Sequence, residues 1–430
     1  MGEQRNFGFD TRMVHAGHIP DPYTGARAVP IHQTTSYVFY DTDHAAQLFD
    51  LKQYGHIYSR ISNPTVAVFE ERVASLEGAT GAVATASGMA AQLNIFMTLL
   101  EPGDEIVSSS HLYGGTTTQF TYTLSKMGMK VHFIDPTDIS NWEQAITPKT
   151  KALYGEVVGN PTGSIIDIEK VAELADSKGI PLIMDSTFAT PYLCRPMEHG
   201  ATIVVHSATK FIGGHGNSIG GVLLDSGEFD YSNYPTIAEP SPQYHDLRFF
   251  DTFGHYGFLM KARAATLRDT GSNMSPTNAF MLIQGLETLS VRMDRHVENA
   301  LAVAKYLEEH PRVEWVSYAT LPNHPSHDLA RKYLPKGAGA VFSFGIKPRA
   351  GEDVREAGKK FIESLKIFSH LANVGDVRSL VIHPASTTHQ QLSDEELESA
   401  GIGPELIRLS IGIETAEDLL WDLDQALRTE

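Results

Sequence analysis

The sequence predicts an α/β protein: a mostly parallel β-sheet with helices on both faces, followed by a smaller α+β unit. Between residues 81 and 224, short β-rich apolar runs alternate with longer stretches of helical character, as strand–helix–strand crossovers require. Beyond Gly271 the order changes, with helix-like runs first and strand-like runs after them. The length, 430 residues, exceeds what one hydrophobic core comfortably holds, so two or three domains are expected.

Residues 1–62 are rich in Pro, Tyr, Thr, Gly and His with little periodicity, and read as an extended arm. Asn63-Pro64 marks a turn before a helical pattern that places Val66, Phe69, Val73 and Leu76 on one face. The strand-like runs of the large domain (63–271) are 82–85, 105–109, 130–134, 151–154, 181–184, 202–205 and 221–224, with helix-like segments at 90–100 and 168–177. Residues 229–257 are polar, aromatic and Pro-containing, and read as a long inserted loop. The C-terminal domain (272–430) opens with a helix-like run containing Phe280, Leu282, Ile283, Leu286, Leu289 and Val291, continued over 297–307. Strand-like pieces follow at 313–318, 340–345, 380–383 and 406–411.

Composition narrows the partners. With 42% apolar and 20% charged residues the chain is an ordinary globular one. Lys plus Arg total 34 against 52 Asp plus Glu, a net charge of −18, so no basic footprint is present to neutralise phosphates. Nucleic acid and anionic membrane are therefore not expected partners. Cys194 is the single cysteine, which allows no intrachain disulfide and fits a reducing, cytoplasmic setting. Residues 1–12 hold no apolar stretch, so no signal peptide or anchor is expected, and Asn6 stands where a myristoylation signal on Gly2 needs Ser or Thr. No apolar run approaches the roughly 18 residues that span a bilayer.

In sheets of this kind ligands sit at the carboxyl ends of the strands, so the residues just after each strand carry the functional signal. After the run 202–205 comes His206-Ser207-Ala208-Thr209-Lys210 and a Gly-rich stretch, Gly213-Gly214-His215-Gly216. A lysine at the inner end of a buried strand is rare unless paired or functional, and here it can form a Schiff base with an aldehyde cofactor. Ser207 and Thr209 would bring hydroxyls to a phosphate. Asp185 ends the run 181–184, and its distance of one strand–helix–strand unit from Lys210 predicts neighbouring strand ends. A buried carboxylate there can keep a pyridine nitrogen protonated. Ser87-Gly88-Met89 follows the first strand and opens a helix, whose N-terminal amides can hold the phosphate. Tyr113, after the second strand, can stack on a cofactor ring and move protons. Taken singly, each has an ordinary alternative: a solvated lysine, a helix-capping Asp or Ser, a packing tyrosine.

Together these residues resemble the Cys/Met-metabolism pyridoxal phosphate (PLP) enzymes, a family of cystathionine synthases and lyases, methionine γ-lyase and homoserine-ester sulfhydrylases. The resemblance runs almost end to end, through Tyr58-Ser59-Arg60, Asn63-Pro64-Thr65, Ser87-Gly88-Met89-Ala90, Tyr113-Gly114-Gly115-Thr116, Asn160-Pro161-Thr162-Gly163, Asp185-Ser186-Thr187, Ser207-Ala208-Thr209-Lys210 and Arg408-Leu409-Ser410-Ile411-Gly412. It implies the aspartate aminotransferase-like fold (fold type I) with pyridoxal 5′-phosphate as cofactor. By the same resemblance Lys210 is the Schiff-base lysine, Asp185 the ring-nitrogen partner and Tyr113 the stacking tyrosine. Gly88, Met89, Ser207 and Thr209 match phosphate ligands, and Ser87 belongs to the same cofactor-binding turn. Tyr58 and Arg60 match phosphate ligands supplied by a neighbouring subunit, which implies a homotetramer of two dimers with shared active sites. Arg408 matches the grip on the substrate carboxylate, Asn160 a contact to the cofactor ring and substrate, and Ser379 and Thr388 fall in the carboxylate-side loop. Ser186 follows Asp185 where the family often has Asn, a departure that leaves the ring contact unaltered.

The inserted segment 229–257 and Lys261-Ala262-Arg263 through Arg268-Asp269-Thr270-Gly271 look like the sulfhydrylase branch. The expected reaction is γ-replacement on O-acetyl-L-homoserine by sulfide or methanethiol, giving homocysteine or methionine and acetate, in sulfur amino-acid biosynthesis. Methionine γ-lyase and cystathionine γ-synthase activities are the alternatives on the same scaffold. Around Tyr113 there is no reactive cysteine of the kind expected in a methionine γ-lyase. His383 and His389 lack the Cys or carboxylate set that would make a metal site, and Cys194 is expected to be a buried small residue.

Overall fold

A computed structural model describes residues 5–387 and 403–428. Seven strands form the large sheet: β1 Gly81–Thr85, β2 Glu105–Ser109, β3 Lys130–Ile134, β4 Thr150–Glu156, β5 Leu182–Asp185, β6 Ile203–His206 and β7 Gly221–Asp225. Their order is β1-β7-β6-β5-β4-β2-β3. Only β7 runs antiparallel to its neighbours; the other pairs are parallel. The near-continuous apolar strand runs follow from this, because both faces are covered. Val83, Ile183, Ile203, Val205 and Leu223 enter one core, whereas Ala84, Leu182, Met184, Val204 and Leu224 enter the other, with the period of two of a strand.

The second sheet holds β8 Val313–Ser317, β9 Val341–Ile346, β10 Ser369–His370, β11 Leu380–Ile382 and β12 Leu406–Ser410, in the order β10-β11-β12-β9-β8. Phe342, Phe344, Ile407 and Leu409 from this sheet belong to the same core as one face of the large sheet. Among the described residues no helix is long and apolar enough to cross a membrane.

Three details differ from the sequence reading. The N-terminal arm is not wholly extended: it carries the helices Phe9–His15 and Thr42–Phe49, the latter capped by Asp41, which accepts from His44 N at 2.7 Å. The segment 229–257 is not a loose loop but a chain of short helical turns, Tyr231–Asn233, Pro235–Ala238, Pro242–Tyr244 and Phe249–Phe253 among them. Tyr231, Tyr234, Ile237 and Phe249 are buried in the core on one sheet face, and Tyr231 stacks on Phe258 at 5.5 Å between ring centroids. Irregularly spaced aromatics escape a periodicity test yet bury large areas. Val291 belongs not to the first C-terminal helix, Pro276–Leu286, but to the second, Leu289–Glu309, and is exposed.

That second helix ties the two sheets together. The buried Arg292 donates to Phe211 O (2.8 Å) and Ile212 O (3.2 Å), just after Lys210, and to Gly285 O (2.7 Å). Gly214, at φ +73°, leaves room for it: a Cβ there would lie 2.2 Å from the Arg292 Nη1. One and two turns on, His296 donates to Ile411 O (2.7 Å) and Asn299 to Gly412 O (3.0 Å), holding the chain just after β12. Arg292→Ala would remove three hydrogen bonds from a charged donor, at about 1.5–3 kcal/mol for each such bond, although Gly285 O keeps the Thr288 amide and hydroxyl, both at 3.3 Å. Urea unfolding should show a loss of at least about 3 kcal/mol; a loss below about 1 kcal/mol would contradict the clamp.

Candidate functional site

The carboxyl ends of the parallel strands open into a cavity of about 240 Å³. Ser87, Gly88 and Met89 reach it from the end of β1, Tyr113 and Thr116 from β2, Glu156 and Asn160 from β4. Asp185 and Thr187 come from β5 and Ser207, Thr209 and Lys210 from β6, while Asn373 and Arg408 close it from the second sheet. Such convergence at strand ends is how open α/β sheets build ligand sites.

Asp185 and Lys210 meet because β5 and β6 are adjacent and parallel, with Asp185 in register with Val205. Asp185 Oδ1 accepts from Thr187 N at 2.9 Å, and Gln92 Nε2 lies 3.4 Å from Oδ2. These partners are neutral, and burial pushes the carboxyl above its usual range. A buried carboxyl that lines the cavity and, among the described residues, forms no ion pair fits a protonated ring nitrogen. The Lys210 ammonium is depressed to about 8, first by burial and then by the charge of Arg408, and its Nζ donates to Asn373 Oδ1.

The side of the cavity next to β1 is built largely from backbone. Ser87 caps the helix Gly88–Leu99 by accepting from Ala90 N at 3.1 Å, and the first turn presents the Gly88 and Met89 amides, which have no partner within the helix. A Cβ on Gly88 would lie 2.7 Å from Ser207 Cβ, and one on Gly221 2.1 Å from Ser87 O, so the strand-end loops meet main chain to main chain. The Thr209 hydroxyl donates to Gly220 O and accepts from Gly220 N, both at 3.1 Å, bracing the loop that carries Lys210. Tyr113 is 52% exposed, and its ring lies over Gly115, where a Cβ would come within 2.4 Å of a ring carbon. Among the described residues the Arg408 guanidinium makes two long contacts to neutral oxygens, Asn160 Oδ1 (3.4 Å) and Asn373 O (3.5 Å), and burial lowers it to about 10. Such a fork has donors to spare for a carboxylate.

Not every expected residue reaches the cavity. Tyr58 and Arg60, expected to serve a neighbouring subunit, do not line their own chain's cavity; the Arg60 guanidinium sits 5.3 Å from the Tyr58 ring and donates to Arg268 O. Ser379, expected at the substrate, is instead fully buried and spent on Glu414. Its N–H and hydroxyl donate to that carboxylate at 2.6 and 3.0 Å, and its hydroxyl accepts from Gly412 N. Thr388 and His389 lie outside the described residues. Cys194 is buried, which pushes its thiol up and out of reactive range.

Gln92, Thr116, Glu156, Thr187 and Asn373 line the cavity but were not singled out in the sequence. Glu156 and Thr187 stand at or just after strand ends, where the topological rule points; Asn373 lies in a loop of the second sheet, with no local signal. Glu156 pairs with Asp185 in the β4–β5 register and accepts from Tyr113 N at 2.7 Å. Burial, then Asp185, drives its carboxyl well above the usual range. Folding therefore takes up a proton at Glu156, and stability falls as pH rises from the ordinary carboxylate range towards the folded value. Glu156→Gln removes that loss. The variant should unfold at a higher temperature than the parent at pH 8, with the gap closing towards pH 5; a gap that widens towards pH 5 would mean an ionised Glu156.

Comparison with known proteins agrees with this geometry. The sequence profile of the Cys/Met metabolism PLP-dependent enzymes matches residues 10–428. An O-acetyl-L-homoserine sulfhydrylase of Leptospira meyeri is 49% identical, over 99% of this chain and 97% of its own. A homocysteine synthase of Schizosaccharomyces pombe is 51% identical, over 97% and 98%. The crystal structure of a putative O-acetylhomoserine (thiol)-lyase from Campylobacter jejuni, with N′-pyridoxyl-lysine-5′-monophosphate, superposes with a TM-score of 0.94 at 39% identity, covering 98% of this chain and all of that one. With a profile match over nearly its whole length and relatives at half identity, the chain belongs to the Cys/Met metabolism family of PLP-dependent enzymes.

Proposed function

We propose that the protein catalyses γ-replacement on O-acetyl-L-homoserine, with sulfide or methanethiol as nucleophile and homocysteine or methionine plus acetate as products. The observation that carries this reading is one cavity holding an amine of lowered basicity, a buried carboxyl and a guanidinium with spare donors, in a chain half identical to proteins named for this chemistry.

Bound pyridoxal 5′-phosphate supplies an electron sink for the charge left when protons leave the substrate carbons. Lys210 is assigned as its covalent anchor, with Gly88, Met89, Ser207 and Thr209 at the phosphate and Asp185 at the ring nitrogen. Burial alone raises Asp185, and a cation placed against it draws the carboxyl back to its ionised form. Arg408 binds the substrate carboxylate in a bidentate fork, and Asn160 holds one arm of that fork. Once the substrate amine has taken its place, Lys210 is a free amine near 8, suited to take the Cα proton close to neutral pH, pass it to the conjugated system that the bound cofactor would provide, and so be free again to take the Cβ proton. Tyr113 gives a proton to the acetoxy oxygen as the Cγ–O bond breaks. A Cγ–S bond then forms as the thiol gives its proton to Tyr113, and Lys210 returns its proton to Cβ and then, having recovered the first one, to Cα.

Tyr58 and Arg60 are assigned to the cavity of a neighbouring subunit, in a homotetramer of two dimers. In support, both lie outside their own chain's cavity, and the arm that carries them exposes Tyr23, Val38, Tyr40 and Tyr54. The single buried cysteine suits a cytoplasmic enzyme.

Purified protein should be given O-acetyl- or O-succinyl-L-homoserine with sulfide, methanethiol or cysteine, and the products identified by mass. Homocysteine from the acetyl ester and sulfide is expected; a keto acid formed without any thiol, or cystathionine as the sole product, would overturn the reading. Arg408→Ala should raise KM for the ester at least about 50-fold, as loss of charged hydrogen bonds requires, with a smaller effect on kcat. An unchanged KM would remove Arg408 from the carboxylate site.

A further inference from the structure

We propose that Asn373 is a positioning residue whose side-chain oxygen holds the Lys210 amine whenever that amine is not joined to the cofactor, including the interval after a substrate amine has displaced it. The proposal rests on the assignment of Lys210 made above. Asn373 lies between β10 and β11, in a loop remote in sequence from the parallel strand ends. It touches both polar centres of the cavity: its Oδ1 accepts from Lys210 Nζ, and its main-chain O lies 3.5 Å from Arg408 Nη2.

The loop is built to keep it there. Val377 N donates to Gly214 O at 2.8 Å, joining the loop to the chain that follows Lys210, and Gly375 N donates to Ser410 Oγ at 2.9 Å, joining it to β12. Between these anchors the backbone runs against Lys210 itself. Gly375 has φ +76°, and a Cβ on it would lie 2.7 Å from Phe211 N and 3.0 Å from Lys210 Cβ, so only glycine fits the approach. Asn373 is thus carried on a segment whose position is set by the lysine's own backbone.

The choice of an amide matters chemically. A carboxylate at this point would hold the amine as an ammonium ion and raise its basicity, removing the base that the reaction needs. A neutral oxygen directs the amine through a hydrogen bond and leaves its proton affinity to be set by burial and by Arg408. The bond to Asn373 also enters the exchange equilibrium, because it forms only when the lysine leaves the cofactor. It therefore favours substrate binding by whatever that hydrogen bond contributes.

The test is a visible-absorbance titration of holoenzyme with L-alanine, which offers an amine and a carboxylate but no γ-leaving group, together with kcat and KM for the ester. Asn373→Ala should begin with the parent's absorbance, bind L-alanine about tenfold more weakly, as loss of one buried hydrogen bond implies, and lose kcat for the ester as well as raising its KM. Asn373→Asp should shift in the opposite sense on binding, taking L-alanine more tightly than Asn373→Ala. Its kcat should nonetheless be lower than the parent's, with the acid limb of the pH profile moved to higher pH. An alanine variant within about twofold of the parent in both binding and kcat overturns the proposal. So does an aspartate variant that binds no better than the alanine variant, or either variant failing to take up cofactor, since Asn373 is given no part in holding it. Lys210→Ala, run alongside, separates the two levels: if it keeps the parent's absorbance, the assignment of Lys210 fails whatever residue 373 does.

Discussion

The parallel pairing of β5 with β6 is the constraint on which the rest of the site depends. It brings Asp185 and the segment leading to Lys210 to the same edge of one sheet, an acid and an amine whose separate burial would be unfavourable. Burial raises the carboxyl and lowers the amine, so both are drawn towards their neutral forms. An aromatic cofactor with a cationic nitrogen and an aldehyde carbon would relieve both penalties, as proposed above for Asp185 and Lys210.

A second constraint comes from outside the parallel sheet. Arg408 and Asn373 belong to the second sheet and its loops, so the catalytic cavity closes only when the two sheets are docked. Docking is set by one face of the helix Leu289–Glu309, where Arg292, His296 and Asn299 reach main-chain oxygens on both sides. These are hydrogen bonds to backbone rather than to side chains, which fixes the course of the chain and leaves the cavity side chains free for chemistry. The shared hydrophobic core continues the same junction with apolar contacts.

Much of this was legible in the sequence, for identifiable reasons. Strands covered on both faces are near-continuously apolar, so the central strands β4 to β7 stood out as runs, and residues just after the strand-like runs could be nominated by position alone. Ser87, Tyr113, Asp185, Ser207 and Lys210 are legible in this way, and all five line the cavity. Legibility failed where local pattern and spatial role part company. Asn373 and Gln92 carry no motif of their own, and only the fold brings them to the cavity. Ser379 was read from its loop, yet the nearby Glu414 claims its amide and hydroxyl. The aromatic turns of 229–257 looked like a loop because their buried residues follow neither a helical nor a strand period.

The account stands most directly on which amine carries the cofactor. Reduction of the holoenzyme with borohydride, followed by proteolysis and mass mapping, fixes the pyridoxyl group to the lysine that held it. The account predicts that the added mass falls on the peptide containing Lys210 and on no other. Label on a different lysine, with the Lys210 peptide unmodified, would contradict it.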